Sequence, residues 1–83
     1  MLYALRRVKT NLYLDHLFED TADALFQGEG LHRIYMYNLE WRAQESARTF
    51  AEELEEPIEV VEVALNPETG KLIVKQQGLV FGL

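Results

Sequence analysis

Six glutamates lie within eleven residues in the second half of the chain: Glu52, Glu53, Glu55, Glu56, Glu59 and Glu62. Residues 51 to 83 carry seven acidic and two basic side chains, a net charge of −5, whereas residues 1 to 50 carry a net charge of only −1. A surface of this kind repels phosphates and attracts a basic partner, or it serves solubility alone. We call these six residues the acidic ridge, and we expect Glu52, Glu55, Glu56, Glu59 and Glu62 to bind a basic protein.

A solvated helix surface is the alternative interpretation of the acidic ridge, because glutamate is a good helix former. The position of the carboxylates argues against that interpretation. Pro57 is expected to end a helix at this point, and the C-terminal end of a helix favours cations. Each carboxylate there costs about 0.3 to 1 kcal/mol at low salt.

The N-terminal half offers a second candidate surface, made of cations and tyrosines: Arg6, Arg7, Lys9, Tyr13, Tyr35 and Tyr37. Tyrosines on a sheet can stack on bases while cations hold phosphates, which would suit single-stranded nucleic acid. Neither signature run of an RNA-recognition motif is present. Basic residues in a hairpin also commonly discourage edge-to-edge pairing of sheets. Nucleic-acid binding is therefore the alternative function, and a protein partner is the favoured one.

Catalytic chemistry has little support in the residue pattern. His16 with Glu19 and Asp20 could form an acid-base or metal cluster on one helical turn, and His32 could join it. The sequence contains no HExxH motif, no P-loop and no nucleophile elbow. It also contains no cysteine, which excludes thiolate ligands and a cysteine nucleophile. We expect neither an enzyme nor a bound cofactor or metal.

The composition predicts one globular domain, residues 1–83. Hydrophobic residues make up 48% and charged residues 27% of the 83 residues, which is too apolar for a disordered chain. No stretch approaches the roughly 20 apolar residues that a membrane span requires. Arg6, Arg7 and Lys9 interrupt the apolar residues that a signal peptide would need. We expect a cytoplasmic protein.

The first forty residues predict a hairpin, a short helix and a middle strand. Residues 2 to 8 and 12 to 14 are rich in Leu, Tyr and Val, and Asn11 between them tolerates a left-handed turn conformation. Asp20 could cap a helix over residues 21 to 27, with Gly28 just past its end. The competing interpretation makes residues 24 to 27 a strand that enters a turn at Gly28. Residues 32 to 37 form a strand by composition.

The remaining residues predict the principal helix and a second hairpin. Asn38 is a suitable N-cap for a helix over residues 39 to 55. The helix carries one apolar stripe at three- and four-residue spacing, made of Ala43, Ala47, Phe50, Ala51 and Leu54. Residues 58 to 65 and 71 to 75 predict two strands joined by the turn at residues 66 to 70.

The fold class is therefore predicted as α+β. We expect a small antiparallel sheet, made of two hairpins and a middle strand, with one principal helix, in the order β-β-(α)-β-α-β-β. Val61 and Val63 share one face of their strand with Glu59, and Ile58 and Val60 share the other with Glu62. The second apolar face must meet the residue 16–27 segment, a second copy of the chain or a partner. Together with the apolar residues 78 to 83, which should dock on this domain or on a neighbour, this pattern predicts a homodimer.

One resemblance is carried by the layout of residues 3 to 63. Its parts are Tyr3-Ala-Leu-Arg, Thr10-Asn11-Leu12-Tyr13-Leu14, the helix with Glu45-Ser46-Ala47 and Phe50-Ala51, and the strand Glu59-Val60-Val61-Glu62-Val63. This layout resembles short proteins of bacteriophages and other mobile elements. Many such proteins bind and modulate a host protein, so the resemblance implies an interaction role. It implies no particular site residues.

Overall fold

A computed structural model describes residues 1–15, 26 and 34–82. The named elements are β1 (Leu2–Arg7), β2 (Met36–Tyr37), α1 (Glu40–Leu54), β3 (Ile58–Asn66) and β4 (Lys71–Phe81). The four strands form one antiparallel sheet in the order β2-β1-β3-β4, and α1 packs on one face of it. The predicted α+β class, with an antiparallel sheet and one principal helix, is confirmed. The predicted short helix over residues 21 to 27 falls outside the described residues, apart from the buried Phe26.

The helix α1 follows the predicted stripe closely. Ala43, Ala47 and Ala51 are buried against the sheet, and Phe50 and Leu54 are half-buried beside them. The predicted N-cap is wrong by one residue. Leu39 is the N-cap in extended conformation, without a side-chain hydrogen bond, so Asn38 does not cap the helix. Glu55 ends α1 in the left-handed conformation, and its amide donates to the Ala51 carbonyl.

The first hairpin is present, but its second strand, predicted over residues 12 to 14, is incomplete. The Arg7 amide donates to the Leu12 carbonyl at 2.9 Å, and Asn11 has the positive φ of 59° that its position predicted. Residues 12–14 contact β1 through a single bridge between Arg6 and Tyr13, so they do not form the expected full strand. Of the predicted middle strand, residues 32 and 33 lie outside the described residues. Among residues 34 to 37, only Met36–Tyr37 pairs with β1, and Ile34 forms a single bridge with Asp15.

The second hairpin extends much further than residues 71 to 75. The turn is as predicted: the Gly70 amide donates to the Asn66 carbonyl at 2.9 Å, and Gly70 has a φ of +69°. β4 then continues to Phe81, which pairs with Ile58. The apolar residues up to Phe81 therefore dock on this chain. Two register shifts, near Lys75 and near Gly78, let the strand continue past residues that interrupt its pattern.

Both faces of the sheet carry apolar residues, as the alternation predicted. The helix-side cluster comprises Tyr3, Leu5, Leu14, Phe26, Ala43, Ala47, Ala51, Ile58 and Val60. The opposite cluster comprises Ala4, Ile34, Val61 and Val63, with Leu2, Tyr13, Met36 and Leu72 packed against it. The four central residues of that second cluster are at most 3% exposed. The centre of the second face is thus covered within one chain and does not require a second copy.

Candidate functional site

The sheet divides the acidic ridge instead of displaying it as one surface. Glu59 lies on β3 opposite Arg6 of β1, and the Arg6 Nε donates to its carboxylate. Only 7% of Glu59 is exposed, so this residue is not available at the surface as the expected partner-binding role requires. Burial lowers the pKa of the Arg6 guanidinium, but the hydrogen bond and charge of Glu59 outweigh it and raise the pKa overall.

Glu56 is also neutralised within the chain. The Arg7 Nε and Nη2 atoms both donate to its carboxylate, the latter at 2.9 Å to Oε2. This two-point contact is the strong geometry for a guanidinium and a carboxylate. Arg7 itself is buried, so the pair ties the end of α1 to β1. Glu56 and Glu59 therefore stabilise the fold and present little free charge to a partner.

Glu62 lies on the helix-facing side of β3, opposite to the side that carries Glu59. It lines a cleft of about 150 Å³ together with Tyr3, Glu40, Val60, Gln76, Gln77 and Gly78. Burial raises the pKa of the Tyr3 hydroxyl, and the charges of Glu40 and Glu62 and a hydrogen bond with Glu40 raise it further. Glu62 thus belongs to a local polar cleft and is separated from the rest of the acidic ridge.

Three glutamates of the acidic ridge stay exposed at the C-terminal end of α1: Glu52, Glu53 and Glu55. We call them the acidic helix end. The last turn of α1 contains no basic residue. Gly82 lies against this end, because a Cβ at Gly82 would come within 3.0 Å of the Ala51 Cβ and 2.7 Å of the Glu56 carbonyl oxygen. The acidic helix end therefore stands beside the last residues of β4.

The structure also separates the residues of the alternative nucleic-acid surface. Arg6 and Arg7 are adjacent in β1, so they project to opposite faces, and each holds a glutamate. Tyr13 lies on the Arg6 face, with the guanidinium 5.9 Å from its ring centre.

The other members of that surface lie elsewhere. Tyr35 and Tyr37 pack on the helix side with ring centres 5.0 Å apart, and Lys9 is exposed in the turn after β1. The six residues predicted to form one nucleic-acid surface are thus spread over both faces of the sheet and a turn.

β4 carries three exposed apolar side chains, a feature that sequence reasoning missed. Ile73 is 47%, Val74 37% and Leu79 56% exposed. Within the described part of the chain, β4 has a strand neighbour only at β3. We call its other side the β4 edge. The sequence held a signal for it, since Leu72–Val74 and Leu79–Phe81 are apolar runs around a polar centre. The sequence pattern predicts a strand for the first run and a docked tail for the second.

An aromatic groove lies at the opposite end of the sheet. It is lined by Tyr35, Tyr37, Trp41, Arg42, Glu45 and neighbours, and the Arg42 guanidinium lies 5.3 Å from the Trp41 ring centre. Burial raises the pKa of the Tyr37 hydroxyl, against an opposing hydrogen bond from Ser46. The groove is open, and its arginine already stacks on its own tryptophan, so we assign no ligand to it.

Metal and membrane chemistry can be examined only over the described ranges. There, no group of three or more His, Asp or Glu side chains is placed to hold a metal ion. His16, Glu19, Asp20 and His32 lie outside those ranges. No helix in the described part has the length and apolar character needed to cross a membrane. Comparisons of this chain with protein-family models, with curated proteins and with solved structures found no match.

Proposed function

We propose that this chain is a small cytoplasmic protein-interaction module that accepts an extended segment of another protein along the β4 edge. The observation that carries the proposal is the length and exposure of β4, an eleven-residue outer strand with apolar side chains in solvent. An outer strand presents a row of backbone donors and acceptors, and an added strand can satisfy them. Backbone pairing would supply affinity, and the side chains of β4 would supply selectivity.

The acidic helix end supports a basic partner. A segment paired along the β4 edge would finish beside Phe81 and Gly82, where Gly82 contacts the end of α1. Glu52, Glu53 and Glu55 would then face one end of the segment, so a lysine or arginine there would be favoured. A basic or nucleic-acid-binding protein fits this description, and covering its basic segment would modulate or inhibit it. The resemblance to phage proteins implies the same kind of role.

The backbone at Glu55 gives independent support for a role of its carboxylate. Glu55 has a φ of 55°, a conformation in which glycine is the most stable residue. The helix dipole also disfavours an acid at this end. Glutamate thus stands at a position where both local effects oppose it. Nucleic-acid binding has no comparable support, because Arg6 and Arg7 are each held by a glutamate.

The test uses labelled nine-residue peptides of alternating Val and Thr, with either Lys or Glu at one end. We expect fluorescence anisotropy to show binding of the Lys peptide, weaker binding of the Glu peptide, and loss of the Lys preference at high salt. Amide hydrogen exchange should slow in β4 when the Lys peptide binds. A peptide with a central proline should not bind, because it cannot complete the pairing.

Two variants separate charge from folding. Glu55→Gly should stabilise the fold by about 1 kcal/mol yet weaken binding of the Lys peptide, so the loss could not come from unfolding. Glu45→Lys makes an exposed charge reversal beside β2, about two turns before the acidic helix end, and should leave affinity unchanged. If no extended peptide binds and exchange in β4 does not change, the β4 edge is not a binding surface.

A further inference from the structure

We infer that the strand best matched to the β4 edge is β4 of a second copy, paired antiparallel with Gln76 on the two-fold axis. This inference rests on the proposed function, since it names one occupant of the same edge. When two identical strands pair antiparallel, residues opposite each other must point to the same face of the sheet. Since side chains alternate between the faces, only every second register is possible. The pairing of β4 with β3 identifies the register.

The ladder between β3 and β4 has four positions on each side of Gln76. Gln76 pairs with Glu62, the central residue of Ile58–Asn66. On one side, β4 runs through Val74, Ile73, Leu72 and Lys71, with Lys75 as an extra residue at a register shift. On the other side, β4 runs through Gln77, Gly78–Leu79, Val80 and Phe81. The two residues Gly78 and Leu79 together lie opposite Val60, so this half also contains an extra residue.

Each half of β4 therefore spans four ladder positions with five residues. A register shift in an outer strand normally hinders pairing with another sheet. Here one shift lies on each side of Gln76, so rotation about Gln76 places each shifted half against the other. The extra residue adjoins Gln76 in one half and lies opposite Val60, two ladder positions away, in the other, so the two shifts do not coincide. The halves have equal length, however, so the ends of the two strands stay in register.

The side chains that this register opposes are compatible. Leu72 would face Val80 of the second copy, and both side chains lie on the face that carries Val61. Ile73 would face the Gly78–Leu79 step, and Val74 would face Gln77. Ile73 and Leu79, about half exposed in one chain, would be covered by apolar neighbours. Gln76 would meet its own copy, which allows paired amide hydrogen bonds.

The charges are also compatible with this register. β4 carries two lysines and no acid. Lys75 is the extra residue of its half, and Lys71 would lie opposite Phe81 of the second copy, so no lysine faces a lysine. Phe81 is stacked by Arg48 at 5.6 Å and adjoins Gly82, which contacts the acidic helix end. Lys71 of one copy would thus lie near the acidic helix end of the other copy. The three exposed carboxylates there outnumber the nearby Arg48.

The first experiment is sedimentation of the full chain at about 10 to 100 μM. We expect twice the 9.6 kDa mass of one chain. Val74→Lys with Gln77→Lys should weaken association about tenfold or more, because lysines would then face lysines at two sites. Val74→Lys with Gln77→Glu should restore it, because each lysine would face a glutamate. Both positions are exposed in one chain, so the fold should tolerate both pairs.

This charge pair also controls for general repulsion. The double-lysine variant reduces the net charge from −6 to −4, whereas the Lys/Glu variant leaves it at −6. If long-range repulsion decided association, the double-lysine variant would associate more strongly than the Lys/Glu variant. The register predicts the reverse order, so that order cannot arise from net charge.

The second experiment uses the absence of native cysteine. Gln76→Cys should form an intermolecular disulfide under mild oxidation, because opposed residues of antiparallel strands lie about 4.5 to 5.5 Å apart between Cα atoms. Ile73→Cys is the control on the same strand. In this register Ile73 lies two ladder positions from Gln76, so its two copies would be about 14 Å apart and should not crosslink. Equal crosslinking of both variants would overturn the register.

The outcomes separate this inference from the proposed function. A monomer at 100 μM that still binds the extended Lys peptide would overturn the second copy as occupant and leave the β4 edge as a binding surface. A monomer that binds no extended peptide would overturn both. A dimer that is unchanged by the double-lysine variant would place the interface elsewhere and overturn the inference.

Discussion

The pairs Arg6–Glu59 and Arg7–Glu56 link β1 to the segment that contains most of the negative charge. Neither guanidinium is free, and both pairs are largely removed from solvent. Exposed ion pairs contribute little to stability because water and salt screen them. A pair that is mostly buried behaves differently: removing one partner leaves a charge without compensation in a poorly solvated place. Glu56 and Glu59 therefore contribute to the stability of the fold, whereas the acidic ridge predicted from the sequence assigned them to partner binding.

The first prediction concerns Glu59. Glu59→Lys should lower the free energy of unfolding by about 3 to 5 kcal/mol, because it places a second cation against Arg6. Adding Arg6→Glu should recover part of the loss by restoring an opposite pair. Urea denaturation measures both. Glu53→Lys makes the same charge change at an exposed site and should stay within about 0.5 kcal/mol of wild type. A wild-type urea midpoint for Glu59→Lys would show that the Arg6 contact contributes nothing.

The burial of Glu59 could not be predicted from the sequence. Arg6 and Glu59 are 53 residues apart, and only the β1–β3 pairing brings them together. The order of strands in a sheet depends on long-range packing, which local patterns do not encode. The alternation within β3 was predicted correctly because it is local. It assigned Glu59 and Glu62 to opposite faces, which already conflicted with a single acidic ridge.

At the scale of elements, the helix was predictable and the last strand was not. The stripe of Ala43, Ala47 and Ala51 repeats over three turns, so its signal is strong. β4 contains Lys75-Gln76-Gln77-Gly78, which by pattern ends a strand. The register shifts keep it paired through that stretch. At Gly78 a Cβ would lie 2.8 Å from the Val60 carbonyl oxygen, so the close approach there requires glycine.

The second prediction tests the alanine stripe. Ala47 is fully buried where α1 crosses the sheet, and the small side chain lets the helix lie close to it. Ala47→Leu should lower the free energy of unfolding by about 1 to 3 kcal/mol, because the added atoms must push the helix away. Thr49→Leu on the exposed side of the same helix should cause no loss. Thermal unfolding would reveal a loose contact if Ala47→Leu were as stable as wild type.

At the scale of the whole molecule, the net charge of −6 opposes compaction. The favourable ion pairs at Arg6 and Arg7 are mostly buried, and buried pairs are screened less than exposed charges. The exposed carboxylates of the acidic helix end repel one another and the helix dipole, and salt screens these interactions readily. Salt should therefore weaken the unfavourable electrostatics more than the favourable ones.

The third prediction follows from that imbalance. We expect the melting temperature, at one fixed protein concentration, to rise by a few degrees between about 10 mM and 500 mM NaCl, over which the screening length falls from about 30 Å to below 10 Å. Glu52→Gln with Glu53→Gln removes two of the repelling charges and should show a smaller rise. Differential scanning calorimetry measures both. A melting temperature that fell with salt would mean that attractive ion pairs dominate, and the acidic helix end would then impose no electrostatic cost for a partner to relieve.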